Sequence, residues 1–446
     1  MLKIIRDAFH RFTDDVAKIS TLIFAALCRD GNLSAFTRNR KMPLFALVYT
    51  LLCRKGRSLA LELRDFMSHF HPGENISKPG YLKQRMKLNP AAIWYLVTNH
   101  NRNFYKDGVS KTFNNHLVLA VDGSKVLVPS TKENIETYGT VGRKGNKPQA
   151  AMGLSCVYDV LNHMILSADM QKANFDERLT ARNQLSCIRE TIGNTPFIVT
   201  MDRGYPSMPF FLWLNETSMK FVVRLKASDF KEELFFMKDN DSEVDIEFTD
   251  SRMARYNGTS DGEAMKQAGG IRLRFVRIKQ NDGKEEILAT NLDNKEFSTQ
   301  DIEKIYRTRW EVETAFDVLK NNLQLENFTG TKPRLLEQDV LATIYVSNVA
   351  ADIMLEANAE LETADKNSKT PPKHKRAVNK TYAIGALKND MIGMLLIDDV
   401  NLREAMFQNL YMDIFKHVEY IRPDRAYPRH KGISASKFPL THKRAF

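Results

Sequence analysis

Cysteine is scarce in this chain, and its placement rules out two common ways of holding a fold together. Only four cysteines stand among 446 residues, and Cys28, Cys53, Cys156 and Cys187 lie far apart with no C-x-x-C spacing or accompanying histidine pattern. A structural zinc site and a disulfide framework are therefore excluded as organising devices. Long apolar runs are missing too: the longest, Met42 to Cys53, is about half of a membrane span. The N-terminal MLKIIRDAFHRF has no apolar core followed by a small-residue cleavage site. A reducing cytoplasm is the expected location, and no membrane partner is expected. Acidic residues are outnumbered, 54 against 65 basic ones, and the net charge of +11 favours a polyanionic partner.

The length exceeds what one core usually serves, so roughly two to four domains are expected. Residues 1–110 read as helical, with apolar residues at helical spacing through FALVYTLLCRKGRSLALELRDFMSHF and a turn at HPGENISKPG. Just after that turn, Lys83, Arg85 and Lys87 fall within two helical turns, as in a phosphate-contacting helix–turn–helix element. From His116 the period changes. LVLAVDGSKVLV, GLSCVYDV, HMILSADM and, after a helix at 176–191, PFIVTMD read as strands of a mixed α/β sheet. The first and last are almost continuously apolar and so are buried on both faces.

Residues 208–298 are strand-rich and broken by polar turns such as NGTSDGEAMKQAGG, which suggests a β insertion. Ser298 with Asp301 resembles a capping box, weakened by Asp in place of Glu, and starts a helix running to Leu323. Further helices are expected at 337–358, 381–397 and 402–418. A charged linker, TADKNSKTPPKHKRAVNK, precedes the second of these, and the chain finishes in a basic, aromatic tail suited to contacting DNA. Asp176 and Glu177 open the 176–191 helix, where the helix dipole favours acids.

Three carboxylates carry the chemistry: Asp122 in VDGS, Asp202 in MDRGY, and Glu313 in YRTRWEVETAFDVLK. Both aspartates are expected at strand ends. On a helix, Tyr306, Arg309, Glu313 and Lys320 fall within an arc of about 60° that borders the apolar stripe of Ile305, Val312, Phe316, Leu319 and Leu323. A carboxylate flanked by two cations and a hydroxyl suits a metal-dependent phosphodiester site. Two hard divalent cations would take oxygen ligands from Asp122, Asp202 and Glu313, with Mg2+ expected and Mn2+ able to substitute. Arg203, beside Asp202, joins the residues expected to contact DNA.

These residues resemble bacterial DDE transposases of the insertion-sequence-four type. Their third catalytic block carries the Tyr, Arg, Glu, Lys signature found here at Tyr306, Arg309, Glu313 and Lys320, and their first two blocks resemble AVDGS and DRGY. The resemblance implies an α/β, ribonuclease-H-like core (111–207 plus 299–360) interrupted by a β insertion (208–298). It also implies a helical N-terminal domain (1–110) that recognises terminal inverted repeats of double-stranded DNA. The C-terminal region (361–446), with linker, helices and basic tail, would join protomers as a homodimer in a synaptic complex on target DNA. Asp122, Asp202 and Glu313 would be the metal ligands, and Tyr306, Arg309 and Lys320 would grip phosphates near the scissile bond. The implied activity is cleavage at the element's ends followed by joining of 3′-hydroxyls to target DNA. A nuclease without strand transfer, or an inactive DNA-binding derivative, are the alternatives. Two departures stand out: EEILATNL lacks the tryptophan that some members use to stack a flipped base, and Asp317 replaces a second basic residue. Trp310 or Tyr205 could take a stacking role instead.

Overall fold

The computed structural model describes residues 2–38, 40–142, 148–237, 239–279, 283 and 285–421. One sequence-based expectation, the basic tail, falls outside them. The chain begins with helices α1 (Leu2–Ile19), α2 (Leu22–Arg29), α3 (Leu44–Leu52), α4 (Leu59–Phe70), α5 (Lys78–Arg85) and α6 (Pro90–Lys106). Local chemistry fixes their starts. The Thr21, Ser77 and Asn89 side chains accept from backbone N–H groups of their first turns, and Pro90 opens α6 where no intrahelical donor is needed.

The sheet follows: β1 (Leu117–Leu127), α7 (Lys132–Tyr138), β2 (Thr140–Val141), β3 (Gln149–Asp159), β4 (Met164–Lys172), α8 (Glu177–Ser186), α9 (Arg189–Ile192) and β5 (Phe197–Met201). Next come α10 (Met208–Glu216), β6 (Lys220–Arg224), α11 (Lys231–Phe236), β7 (Asp241–Glu247), α12 (Asp250–Met253), α13 (Ser260–Ala268), β8 (Gly270–Lys279) and β9 (Glu285–Thr290). The C-terminal part holds α14 (Thr299–Thr308), α15 (Glu311–Asp317), a π-helical turn at Val318–Asn322 and the long α16 (Pro333–Lys366). It closes with β10 (Arg376–Val378), α17 (Lys380–Leu396), α18 (Val400–Lys416) and β11 (Val418–Tyr420).

One mixed sheet runs in the order β2-β3-β1-β5-β6-β9-β8-β7, with β4 paired to the far side of β3. The centre, β1-β5-β6, is parallel, and every other pairing is antiparallel. The period-two alternation of β1 sends Val118 and Ala120 into one apolar core, shared with the N-terminal helices, α14 and α16, and sends Leu117, Leu119 and Val121 into a second core under α8 and α10. β5 repeats the pattern, with Ile198 in the first core and Phe197, Val199 and Met201 in the second.

Helix α16 is long and apolar enough to cross a membrane, but 94% of its most apolar window is buried in the protein, where it packs on α6, α1, α3 and β4. Its buried polar residues are answered from the N-terminal helices. Asp352 receives Arg11 Nη2 at 2.6 Å, Asp339 receives Arg85 Nη2 at 2.8 Å, and Tyr345 donates its hydroxyl to Asp15 at 2.9 Å. Asp15 also meets the buried His100 at 2.8 Å.

The structure corrects several expectations. Asp122 lies mid-strand, because β1 runs five residues past it in antiparallel pairing with β3. The helix expected from Ser298 to Leu323 starts at the predicted capping box but is broken around Arg309 and Trp310 and ends in a π turn. The polar stretch 257–270 is no simple turn: Thr259 caps α13, acids sit in its first turn, and Gly269 ends it in the left-handed region. The strands of 208–298 form no sheet of their own; β6 lies parallel to β5, and β9, β8 and β7 extend the same sheet. Arg85 is fully buried beneath α16 and so cannot reach DNA, whereas Lys83 is exposed and Lys87 half-buried.

Candidate active site

The parallel register pairs Leu117 with Phe197 through Ala120 with Thr200. Two residues past the last pair of this parallel ladder, Asp122, still paired to β3, and Asp202, just beyond the end of β5, stand on neighbouring strands. Both fall on the face of Val118, Ala120 and Ile198, the face covered by α14 and α15. Each carboxylate is oriented by the glycine that follows it: Gly123 N–H donates to Asp122 Oδ1 at 2.8 Å, and Gly204 N–H donates to Asp202 Oδ1 at 2.7 Å.

Glu313, in the first turn of α15, reaches the same place through Arg309. The guanidinium lies 3.2 Å from Glu313 Oε1 and 3.9 Å from Asp122 Oδ2. Arg309 is buried, stacks over the Tyr306 and Trp310 rings at 5.8 and 5.2 Å, and leaves its Nε without a hydrogen-bond partner. Burial pushes the Asp122 carboxyl up to about 6, and the neighbouring charges of Asp202 and Glu313 add to this, while the Gly123 N–H and Arg309 oppose it.

Lys320 sits one π turn beyond α15 and bonds into β1, donating to Ser124 Oγ at 2.7 Å and to the Lys125 carbonyl at 2.8 Å. Its burial lowers its pKa from the ordinary lysine value. Tyr306 is buried, Arg203 exposed and Trp310 about half exposed. Of the residues singled out from sequence, Asp122, Asp202, Glu313, Arg309, Tyr306 and Lys320 therefore converge. Tyr205 is fully buried, which removes it as a base-stacking platform.

The donor chemistry fits a hard divalent cation: carboxylates on neighbouring strands and a covering helix, one largely desolvated, with the Arg309 guanidinium between two of them. Among the described residues, no three His, Cys, Asp or Glu side chains already stand close enough to grip an ion. Arg309 lies between Asp122 and Glu313.

Sequence reading missed one acid that lies beside these residues. Glu177 was assigned to the dipole of α8, yet Asp176 already caps that helix, accepting from the Arg178 and Leu179 N–H groups. The Glu177 carboxylate instead lies near Asp202, whose charge, after desolvation, raises its pKa. The available signal was the glycine after each aspartate, in DG and DRG.

A mixed α/β sheet with acids on neighbouring strands, one of them linked through Arg309 to a third, suits an enzyme acting on phosphodiesters. Comparison narrows the class: the family model for the transposase DDE domain matches residues 114–349, over half of the chain. The chain belongs to this family, the DNA transposases, enzymes that cleave and move DNA and generally use divalent metal ions. Among curated proteins it is similar to the transposase InsG for insertion sequence element IS4 of Escherichia coli (strain K12), 21% identical over 362 residues, 76% of each chain. Among solved structures it is similar to a piggyBac transposase synaptic complex with hairpin DNA, at TM-score 0.44 and 11% identity over 93% of this chain and 84% of that one. The resemblance drawn from the Tyr, Arg, Glu, Lys signature agrees with the family and with the InsG match.

Proposed function

We propose that Asp122, Asp202 and Glu313 form the catalytic centre of a two-metal-ion transposase, holding Mg2+ with Mn2+ able to replace it. The observation that supports this best is the β1–β5 register, which sets Asp122 beside Asp202 on the face where Arg309 links Asp122 to Glu313. Held by these acids, such ions would supply activation of water or a 3′-hydroxyl and stabilisation of the leaving oxygen in an in-line displacement. The chain's own residues hold and orient the DNA. Arg309, with its Nε unpartnered, exchanges a carboxylate for a phosphate oxygen beside the scissile bond. Tyr306 supports the guanidinium from below, and Lys320 and Arg203 flank the same strand. Positive charge held there would offset the missing solvation and neighbouring negative charge that raise the Asp122 pKa, and so favour its ionised form.

In this reading the ribonuclease-H-like core comprises 111–207 and 299–360, and 208–298 is an insertion that lengthens the core sheet. Residues 1–110 recognise the terminal inverted repeats, with Lys83 and Lys87 on phosphates, and 361–446 joins two protomers in the synaptic complex. Hydrolysis exposes a 3′-hydroxyl at each element end, and that hydroxyl attacks target DNA. The test is incubation of the full chain with Mg2+, end-bearing DNA and a target plasmid. Joined products are expected; nicks alone would indicate a nuclease without strand transfer, and retardation without cleavage an inactive binding protein.

A further inference from the structure

The three acids approach from the α15 face of the sheet, but the opposite face also delivers polar groups to the same place. Helix α8 packs on the second core, and its first residue, Glu177, extends past the sheet's end toward Asp202. Two glycines make room for it. A Cβ on Gly204 would lie 3.0 Å from Asp202 Oδ1 and 3.5 Å from Glu177 Oε2, so the two carboxylates flank one methyl-sized space. A Cβ on Gly123 would lie 3.4 Å from Glu177 Oε1 and 3.0 Å from the Phe175 ring. Beside them lies a cavity of about 300 Å³ lined by Gly123, Ser124, Lys125, Asn174, Phe175 and Glu177.

A second observation is independent of the acids. Tyr205 is fully buried, and its hydroxyl has no hydrogen-bond partner. Buried as it is, that hydroxyl lies within electrostatic reach of Glu177, Asp122, Asp202 and Arg309. An orphaned buried hydroxyl is costly unless something completes its bonding. The Glu177 side chain likewise has no hydrogen bond or ion pair to another described residue, although its position at a helix start explains only its backbone.

We propose that Glu177 is a fourth carboxylate of the metal centre, sharing a divalent cation with Asp202 across the gap left by Gly123 and Gly204, and that Tyr205 positions it. On cation binding, the Tyr205 hydroxyl donates to the carboxylate drawn over it. The site is then ligated from both faces of the sheet, Glu313 on one side and Glu177 on the other. This rests on the proposed role of Asp122, Asp202 and Glu313.

Mn2+ binding to the full-length protein, followed by calorimetry and electron paramagnetic resonance without DNA, tests it. Glu177→Gln is expected to weaken Mn2+ binding by about tenfold or more, and Tyr205→Phe to weaken it less. Neither should lower the metal-free unfolding temperature, since Gln is isosteric and Phe removes an unsatisfied hydroxyl. Glu313→Gln is the comparator. Weakening by Glu313→Gln with full Mn2+ affinity in Glu177→Gln overturns the role of Glu177 alone. Full affinity in both variants overturns the three-acid site and the proposal with it.

Discussion

Replacing Arg85 by Met separates two accounts of the basic N-terminal helix. The Arg85 side chain is fully buried and donates to Gln338 Oε1 at 3.0 Å, Thr329 Oγ1 at 2.6 Å, the Leu335 carbonyl at 3.0 Å and Asp339 Oδ1 at 2.8 Å. Met keeps much of the volume but strands Asp339 without its closest cation. Removing one partner of a buried ion pair costs about 3–5 kcal/mol. Asp339 retains Arg54 at 3.2 Å and the Thr329 N–H at 2.7 Å, so the lower end of that range, about 3 kcal/mol, is expected. Urea and thermal unfolding of the full chain should show the loss as an earlier transition, while the salt dependence of duplex binding stays unchanged. The exposed Lys83 gives the opposite pattern: Lys83→Ala should leave unfolding unaltered and reduce the salt slope by about 1. If Arg85→Met unfolded like the parent but lost salt-dependent DNA affinity, the buried-anchor account would be refuted.

Three further predictions concern other parts of the molecule. Lys388 is buried, and loss of solvation, followed by repulsion from Arg54, pushes its ammonium down to about 8. The folded value lies below the unfolded one, so the charged side chain destabilises the fold below pH 8 and the penalty fades as pH rises toward that of a free lysine. Lys388→Met should therefore stabilise at pH 7 by on the order of 3 kcal/mol, with the gain shrinking above pH 8 in a pH series of melting curves; an equal gain at every pH would contradict this origin. Gly204→Ala should reduce cleavage at an unchanged melting temperature, because its Cβ presses on the Asp202 carboxylate. Gly153→Ala, whose Cβ would stand 2.6 Å from the Lys172 carbonyl, should instead lower the melting temperature, and equal effects of the two would contradict these contacts. Arg309→Ala should impair cleavage of end DNA far more than non-specific duplex binding; parallel losses would mark Arg309 as a structural residue.

Much of the site was legible because its signals are local. LVLAV and FIVTM are apolar enough to declare buried central strands, each followed directly by an aspartate, with a glycine one residue on in the first and two residues on in the second. The spacing of Tyr306, Arg309, Glu313 and Lys320 placed them on one stripe, and they do converge even though the helix breaks at Arg309 and Trp310. What stayed hidden depends on partners distant in sequence. Arg85 reads as a surface cation until α16 supplies Gln338 and Asp339 from some 250 residues away. Glu177 reads as a helix-start acid until the two glycines are seen to open a path toward Asp202. The strands of 208–298 read as a separate unit because hydrophobic periodicity reports that strands exist, and not which neighbour they pair with.

The central claim is that Asp122, Asp202 and Glu313 act together as the cation-binding acids that cut and join DNA. Its most direct test is a joining assay with Asp122→Asn, Asp202→Asn and Glu313→Gln beside the parent, each first shown to bind end DNA with parental affinity. The account predicts Mg2+-dependent joined products from the parent and neither cleavage nor joining from any of the three variants. Joined products from any one of them at the parental rate would contradict it.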